Sequence, residues 1–257
     1  MLELSHINKI YNPGETTQAA VFDDFSLRIA KGEFVSIVGS NGSGKTTMLN
    51  LICGTIPLDS GRILLDGKDV CRLPEYMRYR MIGRVYQNPA MGSCPDLTVA
   101  ENMALADQKG GHFGLQRGVD RKCMQRYREQ LATLGLGLEE KLHTRVGALS
   151  GGQRQAMSLL MATMTPLGFL ILDEHTAALD PKTADLVMEL TDRVVRQKKL
   201  TAVMVTHNLR YAVEYGNRIL MLHKGKAVLD RMGEDKANTG VQDLLALFNE
   251  ISVECGN

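Results

Sequence analysis

A chain of 257 residues, 44% of them hydrophobic, is long and apolar enough to bury a sizeable core, which excludes global disorder. With 30 basic residues against 29 acidic ones the formal charge is +1, so no broad electrostatic excess points to nucleic acid or to an anionic lipid surface. Apolar runs such as Phe169-Leu170-Ile171-Leu172 and Ile219-Leu220-Met221-Leu222 fall far short of the roughly 20 residues of a spanning helix, and the 5 cysteines include no C-x-x-C pair, which argues against a disulfide framework or a zinc site and fits a reducing cytoplasm.

Leu2, Leu4 and His6 alternate with polar neighbours, without the basic-then-apolar order of a signal peptide. Residues 21–29 alternate in the same way. Two half-buried strands are therefore predicted around a loop containing Asn12-Pro13-Gly14. Tyr11 stands at the entrance to that loop. There an exposed ring can stack on a nucleotide base, the alternative being a packed residue at a strand end.

The run Phe34-Val35-Ser36-Ile37-Val38 leads into Gly39-Ser40-Asn41-Gly42-Ser43-Gly44-Lys45-Thr46, and Met48-Leu49-Asn50-Leu51-Ile52 follows. A buried strand thus delivers the chain to a glycine-rich turn whose N–H groups can face inward, at the positive end of a helix starting near Lys45. This is a polyphosphate cradle. Lys45 supplies a point charge for the terminal phosphates, and the Thr46 hydroxyl suits the accompanying Mg²⁺. Pro57 and Asp59-Ser60-Gly61 are expected to end the helix, and residues 62–65 read as a strand entering the turn at Asp66-Gly67.

Ile82-Gly83-Arg84-Val85-Tyr86 is a further short strand, ending at Gln87. Met91 and Cys94 are apolar residues in the Pro- and Gly-containing stretch after it, and mark a docking patch. Thr98 and Glu101 have capping-box spacing for a helix to Ala106, which Gly110, Gly111 and Gly114 break. Met124, Tyr127, Leu131 and Leu134 recur at helical spacing within 119–134, while Arg121, Lys122, Arg126 and Arg128 form a solvated face. Residues 88–148 thus read as a mainly helical insertion.

Leu149-Ser150-Gly151-Gly152-Gln153 opens a helix of about residues 153–164 with Met157, Leu160, Met161 and Met164 on its core face. Its start is a second anion-binding geometry. Strand 169–172 ends in Asp173-Glu174, placed at a carboxyl end where the first can reach Mg²⁺ and the second can face an attacking water. Helix 182–198, strand 201–206 and His207, which can donate to a γ-phosphate, continue the βα alternation. A hairpin-like pair at 219–229 and an amphipathic helix at 241–251 complete the chain, with no appended regulatory domain expected.

This ordered set resembles the ATP-binding-cassette ATPases over nearly the whole length. The resemblance rests on residues 39–46 (Walker A), Gln87 (Q-loop), residues 149–153 (signature), residues 169–173 (Walker B) with Glu174, Ala178-Leu179-Asp180 (D-loop) and His207 (switch histidine). It implies an α/β fold with a P-loop NTPase (RecA-like) core, a largely parallel sheet, an N-terminal antiparallel β region and a helical insertion. The core would span about 1–87 and 149–230 of a single domain.

Further implied are ATP and Mg²⁺ as ligands, with no other metal. The nucleotide-binding set is then Tyr11, Gly39, Ser40, Asn41, Gly42, Ser43, Gly44, Lys45, Thr46, Thr47, Ser150, Gly151, Gly152, Gln153 and Asp180. Glu174, His207, Lys45 and Gln87 serve catalysis, and Thr46, Gln87 and Asp173 hold the metal. The resemblance also implies a head-to-tail homodimer around two nucleotides, in which residues 39–46 of one chain face residues 150–153 of the other. Integral permease subunits would dock near residues 91–97, with a solute-binding protein in the same system, no nucleic acid, and a cytoplasmic, peripheral location on the inner face of the membrane. Importer ATPases for amino acids are the nearest in look. An exporter or lipoprotein-release ATPase is one rival, and a soluble non-transport cassette or switch is another. One departure is His175, where the family commonly has proline; it is expected to be a solvated loop residue that leaves the following turn less restrained.

Overall fold

The structure, a computed structural model, describes residues 1–109, 111 and 118–254, with side chains described through residue 251. The helix break expected at Gly110 and Gly114, and Cys255, lie outside the described residues. The chain forms two compact units, residues 1–79 with 198–257, and residues 80–197.

The first unit opens with β1 (Leu2–Tyr11), β2 (Ala19–Ile29), β3 (Phe34–Gly39), α1 (Lys45–Cys53), β4 (Ser60–Leu65), β5 (Lys68–Asp69) and α2 (Glu75–Arg78). β2, β1, β4 and β5 make an antiparallel sheet in that order. Its inward set begins as expected, with Leu2 and Leu4 buried, but His6 does not continue it. His6 is exposed at φ 52 and Ile7 is buried instead, because the register shifts between Leu4 and Ile7. A bulge moves every later side chain to the other face. It is held by the His6 N–H donating to Ser26 Oγ at 3.0 Å and by His6 Nδ1 lying 2.6 Å from Asp24, itself at φ 55. α1 also stops earlier than Pro57 required: Gly54 at φ 81 turns left-handed and returns its N–H to Asn50 and Leu51. The buried Arg78 guanidinium then donates to the Leu51 and Ile52 carbonyls at 2.8 and 3.2 Å, adding a second donor at Leu51 and supplying one to Ile52 at the helix end.

The second unit holds β6 (Ile82–Val85), α3 (Val99–Asp107), α4 (Met124–Ala132), α5 (Gly151–Ala162), β7 (Phe169–Asp173) and α6 (Pro181–Gln197). β6 and β7 run parallel, from Ile82 opposite Phe169 to Val85 opposite Leu172. The capping box at the start of α3 forms as its spacing requires: the Thr98 hydroxyl accepts the Glu101 N–H and the Glu101 carboxylate accepts the Thr98 N–H. Tyr127, Leu131 and Leu134 are buried, while Arg121, Lys122, Arg126 and Arg128 are exposed, with Arg126 paired to Asp107. On α5, Met157, Leu160 and Met161 face the core, and Met164 lies past the helix end.

The chain returns to the first unit with β8 (Ala202–Val205), α7 (Leu209–Glu214), β9 (Arg218–His223), β10 (Lys226–Met232), α8 (Gly233–Ala237) and α9 (Val241–Glu254). β3 pairs in parallel with both β8 and β9, and β10 closes antiparallel on β9. All six residues of β3 are buried, as befits a central strand covered on both faces. α9 seats Leu244 against Val38, Ala212, Ile219 and Met221. Arg218 donates to Glu33 at 2.9 Å and to Asp230 at 2.6 Å, and these acceptors raise its already high pKa.

Candidate functional site

In the first unit the site begins where β3 ends. Gly39 needs to be glycine, since at φ 158 an added Cβ would lie 2.3 Å from the Leu222 carbonyl and 2.7 Å from Ser43 Oγ. Gly44, the N-cap of α1 at φ 104, has no side-chain cap, so the first N–H groups of α1 keep their donors for an anion. Lys45 is buried and folds back to donate to the Gly39 and Ser40 carbonyls at 2.8 and 2.9 Å, which holds its ammonium over the turn. Ser40, Asn41, Gly42 and Thr46 are exposed and Thr47 is half-buried. The Ser43 hydroxyl is buried and has no hydrogen-bond partner among the described residues. A cradle that a Cβ would fill, with an orphaned hydroxyl inside it, fits a polyphosphate. His207 follows β8 and is exposed. Tyr11 ends β1, with Lys9 Nζ 5.6 Å from its ring centroid.

In the second unit, β7 carries Asp173 to its carboxyl end and Glu174 then turns left-handed at φ 47, a conformation a non-glycine residue holds only when its surroundings impose it. Those surroundings include His175. The expectation that it is solvated is wrong: it is 2% exposed, and its Nε2 lies 3.0 Å from Thr191 Oγ1 on α6. The Thr191 hydroxyl donates to the Val187 carbonyl at 2.8 Å, so its oxygen accepts from the ring and Nε2 carries the proton. Burial pushes the imidazole pKa down to about 4, so the ring is neutral. In place of a proline, the turn after Glu174 is restrained by a buried hydrogen-bond chain. Asp180 accepts the Thr183 N–H at 3.1 Å and caps α6, and the hydrogen bonds from the Thr183 hydroxyl and amide lower its pKa.

α5 starts with a second capping box, in which Ser150 Oγ accepts the Gln153 N–H at 3.2 Å. Gln153 turns inward: its oxygen accepts from Ser150 N–H and Lys141, and its amide donates to the Leu136 carbonyl. Its visible role is to fix the helix start, leaving the Gly151 and Gly152 backbone there. Gly152 also permits close packing, since a Cβ would come 2.3 Å from Thr183 Cγ2. Gln87 is exposed and, with Asn88, Pro89, Ala90, Gly151, Arg154, Gln155, Ala178 and Leu179, lines a cavity of about 320 Å³. Met91 beside it is 69% exposed.

A family profile described as ABC transporter matches residues 22–177. The chain belongs to the ABC transporter family. Among its relatives, the tyrosine transport ATP-binding protein of Clostridioides difficile is 46% identical over 250 residues, covering 96% of this chain and 98% of that protein. The spermidine/putrescine import ATP-binding protein PotA of Haemophilus influenzae is 35% identical over 97% of this chain, which spans 63% of that longer protein. Among solved structures, the dimeric ATP-binding cassette MJ0796 in a post-hydrolysis state bound to ADP and Pi matches with a TM-score of 0.75 and 31% identity, over 90% of this chain and 98% of that one.

As an ABC ATPase the chain takes ATP with Mg²⁺, and its fold is the expected α/β P-loop NTPase with an antiparallel N-terminal sheet. The residues expected from the sequence to hold Mg²⁺, Thr46 in the first unit and Gln87 and Asp173 in the second, offer a hydroxyl, an amide and a carboxylate, the oxygen chemistry that a small hard cation takes. Among the described residues no helix is long and apolar enough to cross a membrane. Arg84, whose guanidinium donates to Asp173 at 2.6 Å, is a site neighbour that was not expected from the sequence. A charged residue inside an otherwise apolar strand was the signal that could have found it. The inward turn of His175 was likewise unexpected, and no local signal announces it.

Proposed function

We propose that the chain is the ATP-hydrolysing subunit of an importer, working as a head-to-tail homodimer and powering separate permease subunits that move an amino acid, tyrosine or a close analogue. The observation that carries the substrate class is 46% identity running through 98% of a tyrosine transport ATP-binding protein. The dimer is supported by the dimeric cassette at 31% identity and by two anion-type helix starts in one chain, at Gly44 and at Ser150. In this reading the backbone of residues 39–46, Ser43 and Lys45 hold the β- and γ-phosphates, and Tyr11 stacks on the base. The Gly151 and Gly152 N–H groups of the partner chain meet the γ-phosphate.

Glu174 polarises the water for in-line attack, and His207 and Lys45 offset charge developing on the phosphoryl oxygens. Thr46, Gln87 and Asp173 would hold Mg²⁺, which would supply further charge stabilisation when bound. Loss of the γ-phosphate removes what joins the two chains, and the dimer opens.

A peripheral place at the inner membrane face follows from docking through the apolar loop at residues 91–97, beside the cavity at Gln87. That loop exposes Met91 and Cys94. A solute-binding protein completes the system. The test is uptake of radiolabelled tyrosine by cells lacking this chain: the reading requires uptake to fall and to return with the wild-type chain but not with Lys45→Ala. Undiminished tyrosine uptake together with a defect in efflux would move the assignment to an exporter.

A further inference from the structure

Asp173 already has a cation of the protein's own. Arg84 Nη2 donates to Asp173 Oδ2 at 2.6 Å, with the two side chains only 6% and 15% exposed. Strand register sets the pair. Arg84 lies opposite Ile171, and side chains alternate along each strand, so Arg84 and Tyr86 share one face with Ile171 and Asp173. The Tyr86 ring centroid is 4.7 Å from the guanidinium carbon, and the Tyr86 carbonyl accepts Gln155 Nε2 at 3.0 Å, so the guanidinium is held between Asp173 and a ring whose backbone is itself tied to α5. A guanidinium keeps its proton throughout the working range, which makes this positive charge permanent.

We propose that Arg84 is a charge gate on the metal-holding carboxylate: Mg²⁺ arriving with ATP competes with a fixed guanidinium for Asp173, and Arg84 thereby sets the Mg²⁺ concentration at which the nucleotide is held. The inference rests on Asp173 being a metal ligand. Two effects act in the same direction. The guanidinium neutralises part of the carboxylate charge that would attract the metal, and it repels a dication brought to the same group. A threshold of this kind keeps the site from being filled by metal alone, because the phosphates must add their own charge before Mg²⁺ prevails. The opposite role, in which Arg84 steadies Asp173 for the metal, gives the opposite sign on removal.

The experiment uses the full chain and the non-hydrolysable analogue AMP-PNP, with binding measured by calorimetry across a series of free Mg²⁺ concentrations. Arg84→Met and Arg84→Gln remove the charge, and each should lower the half-saturating Mg²⁺ by about tenfold or more. Arg84→Lys keeps the charge but loses the planar group stacked on Tyr86, so its half-saturating Mg²⁺ should fall between wild type and the neutral variants. Circular dichroism checks that each variant is folded, and two neutral replacements guard against failure of either. An unchanged or raised half-saturating Mg²⁺ in the folded neutral variants overturns the gate. Asp173→Asn separates the two levels. A wild-type Mg²⁺ requirement in that variant overturns the assignment of Asp173 and the gate with it, whereas a raised requirement there, with Arg84→Met and Arg84→Gln unaltered, overturns the gate alone.

Discussion

Acid should unfold this protein partly through one ring. His175 is 2% exposed and neutral, with its pKa pushed by burial from the ordinary 6.5 down to about 4. In the unfolded chain the imidazole takes up a proton as pH falls below about 6.5, while the folded one stays neutral until about pH 4. Between those values the unfolded state binds more protons, so stability falls with falling pH, by about 1.4 kcal/mol per pH unit and about 3 kcal/mol over the window. Below about pH 4 this group costs nothing more. Other groups titrate too, so the measurement is a difference between wild type and His175→Gln, whose amide can donate to Thr191 and has no such proton to gain. Urea unfolding followed by far-ultraviolet circular dichroism at pH 7.5, 6.5, 5.5 and 4.5 gives both curves. The gap between them should shift in favour of the variant by about 2–3 kcal/mol from the highest pH to the lowest. Parallel curves would refute a buried neutral ring.

Glu174→Gln should cut ATP turnover by at least ~100-fold, the lower end for loss of a positioned base, while ATP binding and ATP-dependent dimerisation persist; equal turnover would remove Glu174 from its role. Gly152→Ala should destabilise by about 1–3 kcal/mol through the forced contact with Thr183, and Thr183→Ser, which deletes the clashing methyl, should restore part of the loss in urea midpoints. Arg218→Met should cost about 3 kcal/mol or more, because Glu33 would stay largely buried without its partner; a change under about 1 kcal/mol would place that pair among ordinary surface contacts.

What the chain order and local chemistry determine was legible from the sequence. The turn at residues 39–46, the capping box at Thr98, the apolar period of α5 through Met161 and the amphipathic α9 are local patterns that formed where their spacing put them, whereas α5 starts and ends two residues before the expected 153–164 and its own capping box at Ser150 was not anticipated. The misreadings share a cause in contacts made across the fold. His6 leaves the inward set because Asp24, 18 residues away, bulges beside it. His175 is buried because α6 brings Thr191 over it, and nothing in the flanking residues announces that. Arg84 meets Asp173 across 89 residues through strand register, which no single-sequence period encodes. The end of α1 has a local cause instead: Gly54 is a sufficient stop signal in itself and ends the helix before Pro57 is reached.

The proposed homodimer makes turnover depend on two copies of the chain, each completing the other's nucleotide site. Its most direct test is ATPase rate per chain across a wide dilution series, with the oligomeric state in the presence of ATP measured in the same samples. The rate per chain should rise with concentration and follow the dimer fraction. A rate that stays constant down to concentrations where only single chains are found would contradict the account.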